Sequence, residues 1–98
     1  MLYLLLDTSK DKHLAKVGYT SDQRKSEENS RIKQYRTHNT SFITKDWHRG
    51  NTKDETKFRN KLIKQSGGVR VKKNEWVEVS EDFYNQLSSK GFDTLLDK

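Results

Sequence analysis

Lys16, Gly18 and Tyr19 stand ahead of a long polar stretch that carries Arg24 and Lys25, and beyond it come Arg31 and, one helical turn on, Tyr35. Cations interleaved with phenols in this way allow contact with a polyanion, and the whole chain leans the same way. It has 20 Lys and Arg against 14 Asp and Glu, a formal charge of +6 and a sequence pI of about 9.6. Each phosphate neutralised releases condensed counterions and favours binding, although a well-solvated surface accounts for a charge of this size too. His38, a turn beyond Tyr35 on the Arg31 face, is a candidate proton shuttle or nucleic-acid contact, with a solvated surface histidine as the plainer account. The chain has no cysteine, and His13, His38 and His48 lack paired metal-site spacing. A metal would therefore sit on carboxylates, which selects Mg²⁺ or Mn²⁺.

These residues need elements to hold them. Met1 to Leu6 is unbroken apolar sequence and predicts a central strand buried on both faces. His13 to Gly18 predicts a second strand antiparallel to it, with a polar hairpin loop between. Tyr19 to Ser30 has no aliphatic residue and reads as a mobile loop, or as a weak helical turn after Asp22. Ser30 then caps a helix from Arg31 to about His38, with Ile32 and Tyr35 facing inward. Phe42 to Trp47 is the third strand. Thr52 and Glu55 have capping-box spacing and open a helix to about Gln65, ended by Gly67-Gly68. Val69 to Val79 predicts two short strands joined at Lys73-Asn74, and Ser80 begins a last helix that stops at Gly91. The expected order is ββαβαββα.

Read locally, several of these residues have plainer roles. Tyr3 lies between leucines and suits a sheet core. Glu55 suits the third position of a capping box, reaching back to its own N-cap. Tyr35 can pack beside Ile32, and Trp47 and Trp76 are core candidates. Arg31 near a helix start runs against the macrodipole, which hints at a reason other than helix stability.

At 98 residues the chain reads as a single domain over 1–98. Hydrophobic residues make up 30%, against about 45–50% apolar content (glycine included) in ordinary globular domains, so the core must be thin and stability modest. The longest apolar run, Met1 to Leu6, is far short of the roughly 20 residues that span a bilayer, and it lacks a basic flank like that of a signal peptide. A cytoplasmic protein is expected.

Taken in order, Met1-Leu2-Tyr3, Lys16-Val17-Gly18, Arg31 in "RIKQYRTHNT", Glu55 in "ETKFRNKL" and the closing "EWVEV" resemble the GIY-YIG nuclease superfamily. The likeness is to the small phage and bacterial subgroup whose motif ends in Glu-Trp-Phe, and it spans residues 1 to about 83. It implies an α+β fold, a small three-stranded antiparallel sheet flanked by helices, here with a short C-terminal hairpin and helix. It also implies DNA cleavage with one divalent ion. On that resemblance Tyr3 helps activate the attacking water. Gly18 permits close backbone approach where the second strand leaves the sheet. Arg31 faces the scissile phosphate, Tyr35 shares its face, and Glu55 holds the metal. Arg24 and Lys25 are candidate phosphate contacts. The chain departs from the family where Met1 replaces a glycine and Lys16 replaces the second-motif tyrosine; Tyr19 can offer a phenol instead, and Lys16 can act on the phosphate by charge.

The expected function is a metal-dependent DNA endonuclease or nickase of low sequence specificity, targeted by a partner protein or by homodimerisation. The alternatives are a nuclease-derived nucleic-acid-binding protein that has lost its chemistry, and a small phage-type regulator that binds a protein partner.

Overall fold

The computed structural model describes residues 1–9, 13–37, 41–65 and 76–96. Its centre is β1 (Leu2–Asp7), every residue of which is buried. An all-apolar run is stable in this place because both faces of the strand are covered. β2 (Leu14–Tyr19) and β3 (Phe42–His48) pair antiparallel on either side of it, with Leu2 opposite both Tyr19 and His48. A two-residue strand, β4 (Val77–Glu78), adds to the outer edge of β2, so the sheet is four-stranded in the order β3-β1-β2-β4.

Side-chain alternation divides this sheet into two layers. Leu2, Leu4, Leu6, Ala15 and Val17 face α2 (Thr52–Gln65), α3 (Glu81–Lys90) and a 3₁₀ segment (Gly91–Leu95). They form the larger core there with Phe58, Leu62, Phe83, Leu87 and Phe92. Tyr3 and Leu5 face the other way, toward α1 (Ser30–Arg36), with Ile32, Phe42 and Trp76. A bulge lies between the residues of β3 that oppose Leu4 and Leu5, where Asp46 and Thr44 are the partners and Lys45 is passed over. That extra residue switches the alternation. Phe42, Thr44 and Trp47 therefore share the α1 layer, whereas Asp46 and His48 point to the α2 layer. There Asp46 Oδ2 accepts the Phe92 N–H at 2.8 Å, and Gly91 passes over the same carboxylate with φ +60°, a place no side chain fits.

Three expectations are corrected. Among the described residues the sheet has four strands rather than three, because β4 continues it beyond β2. The first strand of the expected C-terminal hairpin lies outside the described residues, as do His38, Gly67-Gly68, Lys73 and Asn74. Asn29, not Ser30, caps α1: its Oδ1 accepts the Arg31 N–H at 3.0 Å. Glu55 is not the capping-box acid, for Asn51 Oδ1 accepts from the Lys53 and Asp54 amides while Asp54 Oδ2 accepts the Asn51 N–H at 2.9 Å. The box is thus Asn51 with Asp54, one residue ahead of Thr52 and Glu55.

Candidate functional site

Gly18 sits directly opposite Tyr3 in the β1–β2 register, and the phenol ring of Tyr3 lies across it. A Cβ built on Gly18 would come within 2.6 Å of Tyr3 Cε1 and nearer still to Cζ and Oη. The glycine is needed for this ring, inside the strand, rather than where the strand leaves the sheet. Tyr3 is thereby held flat and 1% exposed, with Trp47 edge-on at 6.4 Å between ring centroids.

Its hydroxyl donates to Tyr35 Oη at 2.8 Å. The two rings meet edge-on, 5.9 Å apart. Burial pushes the Tyr3 phenol far above its ordinary value, the Tyr35 hydrogen bond pushes it further, and the Arg31 charge only partly opposes them. At any physiological pH Tyr3 is therefore a neutral donor. Tyr35 is half-buried and is the phenol of the pair that reaches solvent.

Two cations flank that ring. Lys16 Nζ lies 4.6 Å from the Tyr35 centroid on the sheet side, and the Arg31 guanidinium carbon lies 5.8 Å from it. Lys16 belongs to β2 and is buried; Arg31 opens the helix above and is exposed. The Tyr3 oxygen, then Tyr35, raises Arg31 above even its usual value, so its charge is fixed. Arg31 also lines an open depression of about 320 Å³ with Tyr19, Thr20, Ser21, Ser30 and Gln34, none of them acidic. The structure brings Tyr3, Lys16, Arg31 and Tyr35 together. Tyr19 comes in from the opposite side: it packs against the α2-layer core and also lines this depression.

The loop between β2 and α1 is built around a buried Asn29. Asn29 Nδ2 donates to the Asp22 and Arg24 carbonyls at 3.1 and 2.7 Å, while Asp22 accepts the backbone amides of Arg24 and Ser30. Arg24 folds back on the same carboxylate through both Nε and Nη2. Hydrogen bonds from Arg24, from its side chain first, hold the Asp22 carboxyl far below the usual range. Arg24 thus answers an acid within its own loop, whereas Lys25 lines two depressions on either side of it.

Glu55 is carried by the first turn of α2, on the other layer of the sheet. That turn follows Gly50, which packs against Leu2, so it lies at the same end of the sheet as Gly18 and Tyr19. Glu55 Oε1 pairs with Arg59 one turn later. Among the described residues no three His, Cys, Asp or Glu side chains converge, and the candidate donor here is the Glu55 carboxylate. Its fit to a hard divalent ion is adequate in kind: Mg²⁺ is commonly held by one or two carboxylates with water and substrate phosphate completing the shell. Since Asn51 and Asp54 satisfy the helix terminus, Glu55 is not consumed by capping. Oε2 is the oxygen left for a cation.

Sequence reasoning missed Asn29, one place from the assigned cap, because Asn and Ser cap equally well. It also missed Arg59, although the (i, i+4) spacing from Glu55 was there to be read. No protein-family model matches the chain, and neither does any curated protein or solved structure. Among the described residues no helix is long and apolar enough to cross a membrane.

Proposed function

We propose that this protein is a metal-dependent DNA endonuclease or nickase that hydrolyses phosphodiester bonds with little intrinsic sequence preference. The observation that carries it is the Tyr3–Tyr35 hydrogen bond set between Lys16 and Arg31 beside an open, acid-free depression. The resemblance to GIY-YIG nucleases supports the same assignment. Arg31, exposed and permanently charged, is suited to take two phosphate oxygens with its planar fork and to stabilise the charge that grows on them. Tyr35 Oη, which accepts a hydrogen bond from Tyr3, keeps a lone pair that can accept a hydrogen bond from an attacking water. Tyr3 is then a positioning residue rather than the group that meets the water, since it is buried and stays protonated. Lys16 adds positive charge beneath the same ring. Glu55 would hold Mg²⁺ or Mn²⁺, which when bound supplies Lewis-acid stabilisation of the leaving oxygen.

A second reading has a specific observation behind it. The first-motif phenol is sealed from solvent and a buried lysine occupies the second-motif position, as expected of a descendant that binds DNA and no longer cuts it. Nicking of supercoiled plasmid with Mg²⁺ and Mn²⁺ separates the two, comparing wild type with Arg31→Ala and Glu55→Ala after folding is checked by circular dichroism. Nicking lost in both variants supports the nuclease. Intact plasmid with folded wild type, together with salt-sensitive DNA binding, overturns it in favour of the binding protein.

A further inference from the structure

β2 and β3 both flank β1, and their ends meet at Leu2, which opposes Tyr19 on one side and His48 on the other. The loop leaving β2 and the turn leaving β3 therefore come together across the end of β1. Between them is a depression of about 280 Å³ lined by Met1, Tyr19, Gln23, Lys25, Arg49 and Gly50. Two of these six residues have cationic side chains and none is acidic. Asp54, which packs against Gly50, has its Oδ2 committed to the Asn51 N–H.

The two cations differ from the paired ones of the β2–α1 loop and α1. Arg24 is paired with Asp22, Lys33 with Glu28 and Arg36 with Glu27. Among the described residues, no ion pair or hydrogen bond engages the side chain of Lys25 or of Arg49, whose carbonyl alone is met by His48 Nδ1. Two like charges brought to one concavity from distant parts of the chain repel each other, and an anion from outside removes that repulsion. Tyr19 lines this depression and also the one that holds Arg31, so the two are adjoining stretches of one surface.

We propose that the Lys25–Arg49 depression is a second phosphate-binding subsite, in which Arg49 grips the DNA backbone beside the phosphate held at Arg31, with Tyr19 between the two. This rests on the DNA-directed reading above and extends it to a strand path: from Arg31, past the edge of Tyr19, to Lys25 and Arg49. Contacts of this kind position a strand and read no sequence. Removing one should weaken all DNA sequences alike and lower the salt dependence by about one phosphate's worth.

The test is fluorescence anisotropy of a labelled duplex with the full chain in EDTA, over a sodium chloride series. Wild type is compared with Arg49→Ala, Arg49→Gln, Lys25→Ala and, as a control for net charge, Lys90→Ala at the end of α3. Loss of one phosphate contact predicts roughly five- to tenfold weaker binding for either Arg49 variant and a log–log salt slope shallower by about 0.9, with less effect for Lys90→Ala. Wild-type binding with Arg49 variants that match Lys90→Ala in affinity and slope overturns the subsite and leaves the Arg31 site standing. Folded wild type that binds no DNA overturns both.

Discussion

Gly18→Ala tests the arrangement at its root. An alanine methyl here would lie 2.6 Å from Tyr3 Cε1 and closer to Cζ and Oη, well inside any contact the two could keep. The ring must lift, with Leu5 and Trp47 packed around it, and the 2.8 Å hydrogen bond to Tyr35 must break. Overpacking of a core costs about 1–3 kcal/mol and the hydrogen bond about 0.5–1.5 kcal/mol, while alanine regains about 0.5–1 kcal/mol over glycine in a strand. The net loss is about 2 kcal/mol by these terms. Urea unfolding should show a midpoint lowered by about 1 M at an unchanged slope of roughly 2 kcal/mol/M. The decisive comparison repeats the substitution in a Tyr3→Leu background, where the opposing atoms are gone. There Gly18→Ala should be neutral to slightly stabilising, giving a coupling energy of about 2–3 kcal/mol. An equal cost in both backgrounds, or a cost below about 0.5 kcal/mol in the wild type, would refute the claim that the glycine exists for the ring.

Tyr3→Phe should lower stability by about 1 kcal/mol at pH 7 through the lost hydrogen bond. It should also change the alkaline limb. Because the folded-state phenol titrates well above the unfolded one, its contribution is intact below about pH 10 and is lost as pH rises beyond, at up to about 1.4 kcal/mol per pH unit; the variant should lose that part of the slope in pH-dependent urea titrations. Asn29→Ala removes an N-cap and leaves the Asp22 and Arg24 carbonyls without their donor. About 2–3 kcal/mol is expected, read by thermal unfolding, and a loss under 0.5 kcal/mol would mean the loop does not depend on its hub. Asn51→Ala should cost about 1 kcal/mol as a lost cap, whereas Glu55→Gln, which weakens the largely buried pair with Arg59, should abolish nicking while circular dichroism shows the fold intact; nicking retained by the folded variant would remove Glu55 from the metal site.

The central strand was legible because six apolar residues in a row tolerate only a place covered on both faces. The approximate positions of β2, β3, α1, α2 and α3 followed from periodicity and turn residues. The polar stretch was legible as a loop by composition. Its organisation was not, since Asn29 gains its meaning only when the Asp22 and Arg24 carbonyls curl over it. The α1 and α2 caps were each misplaced by one residue, where neighbouring side chains offer nearly equal hydrogen-bonding chemistry and only backbone geometry selects between them.

The sequence by itself determined the types of group present: an excess of cations, carboxylates as the remaining metal donors, and phenols placed on strand and helix. Strand register decided which of them meet. Pairing sets Tyr3 over Gly18, and alternation sends Lys16 and Tyr19 to opposite layers though three residues apart. The bulge in β3 returns Trp47 to the Tyr3 layer, and the common partner Leu2 draws the Tyr19 and His48 ends, hence Lys25 and Arg49, to one end of the sheet. Those outcomes depend on contacts between segments far apart in the chain. A period of two read along one strand cannot reveal its partner's register or a single extra residue opposite.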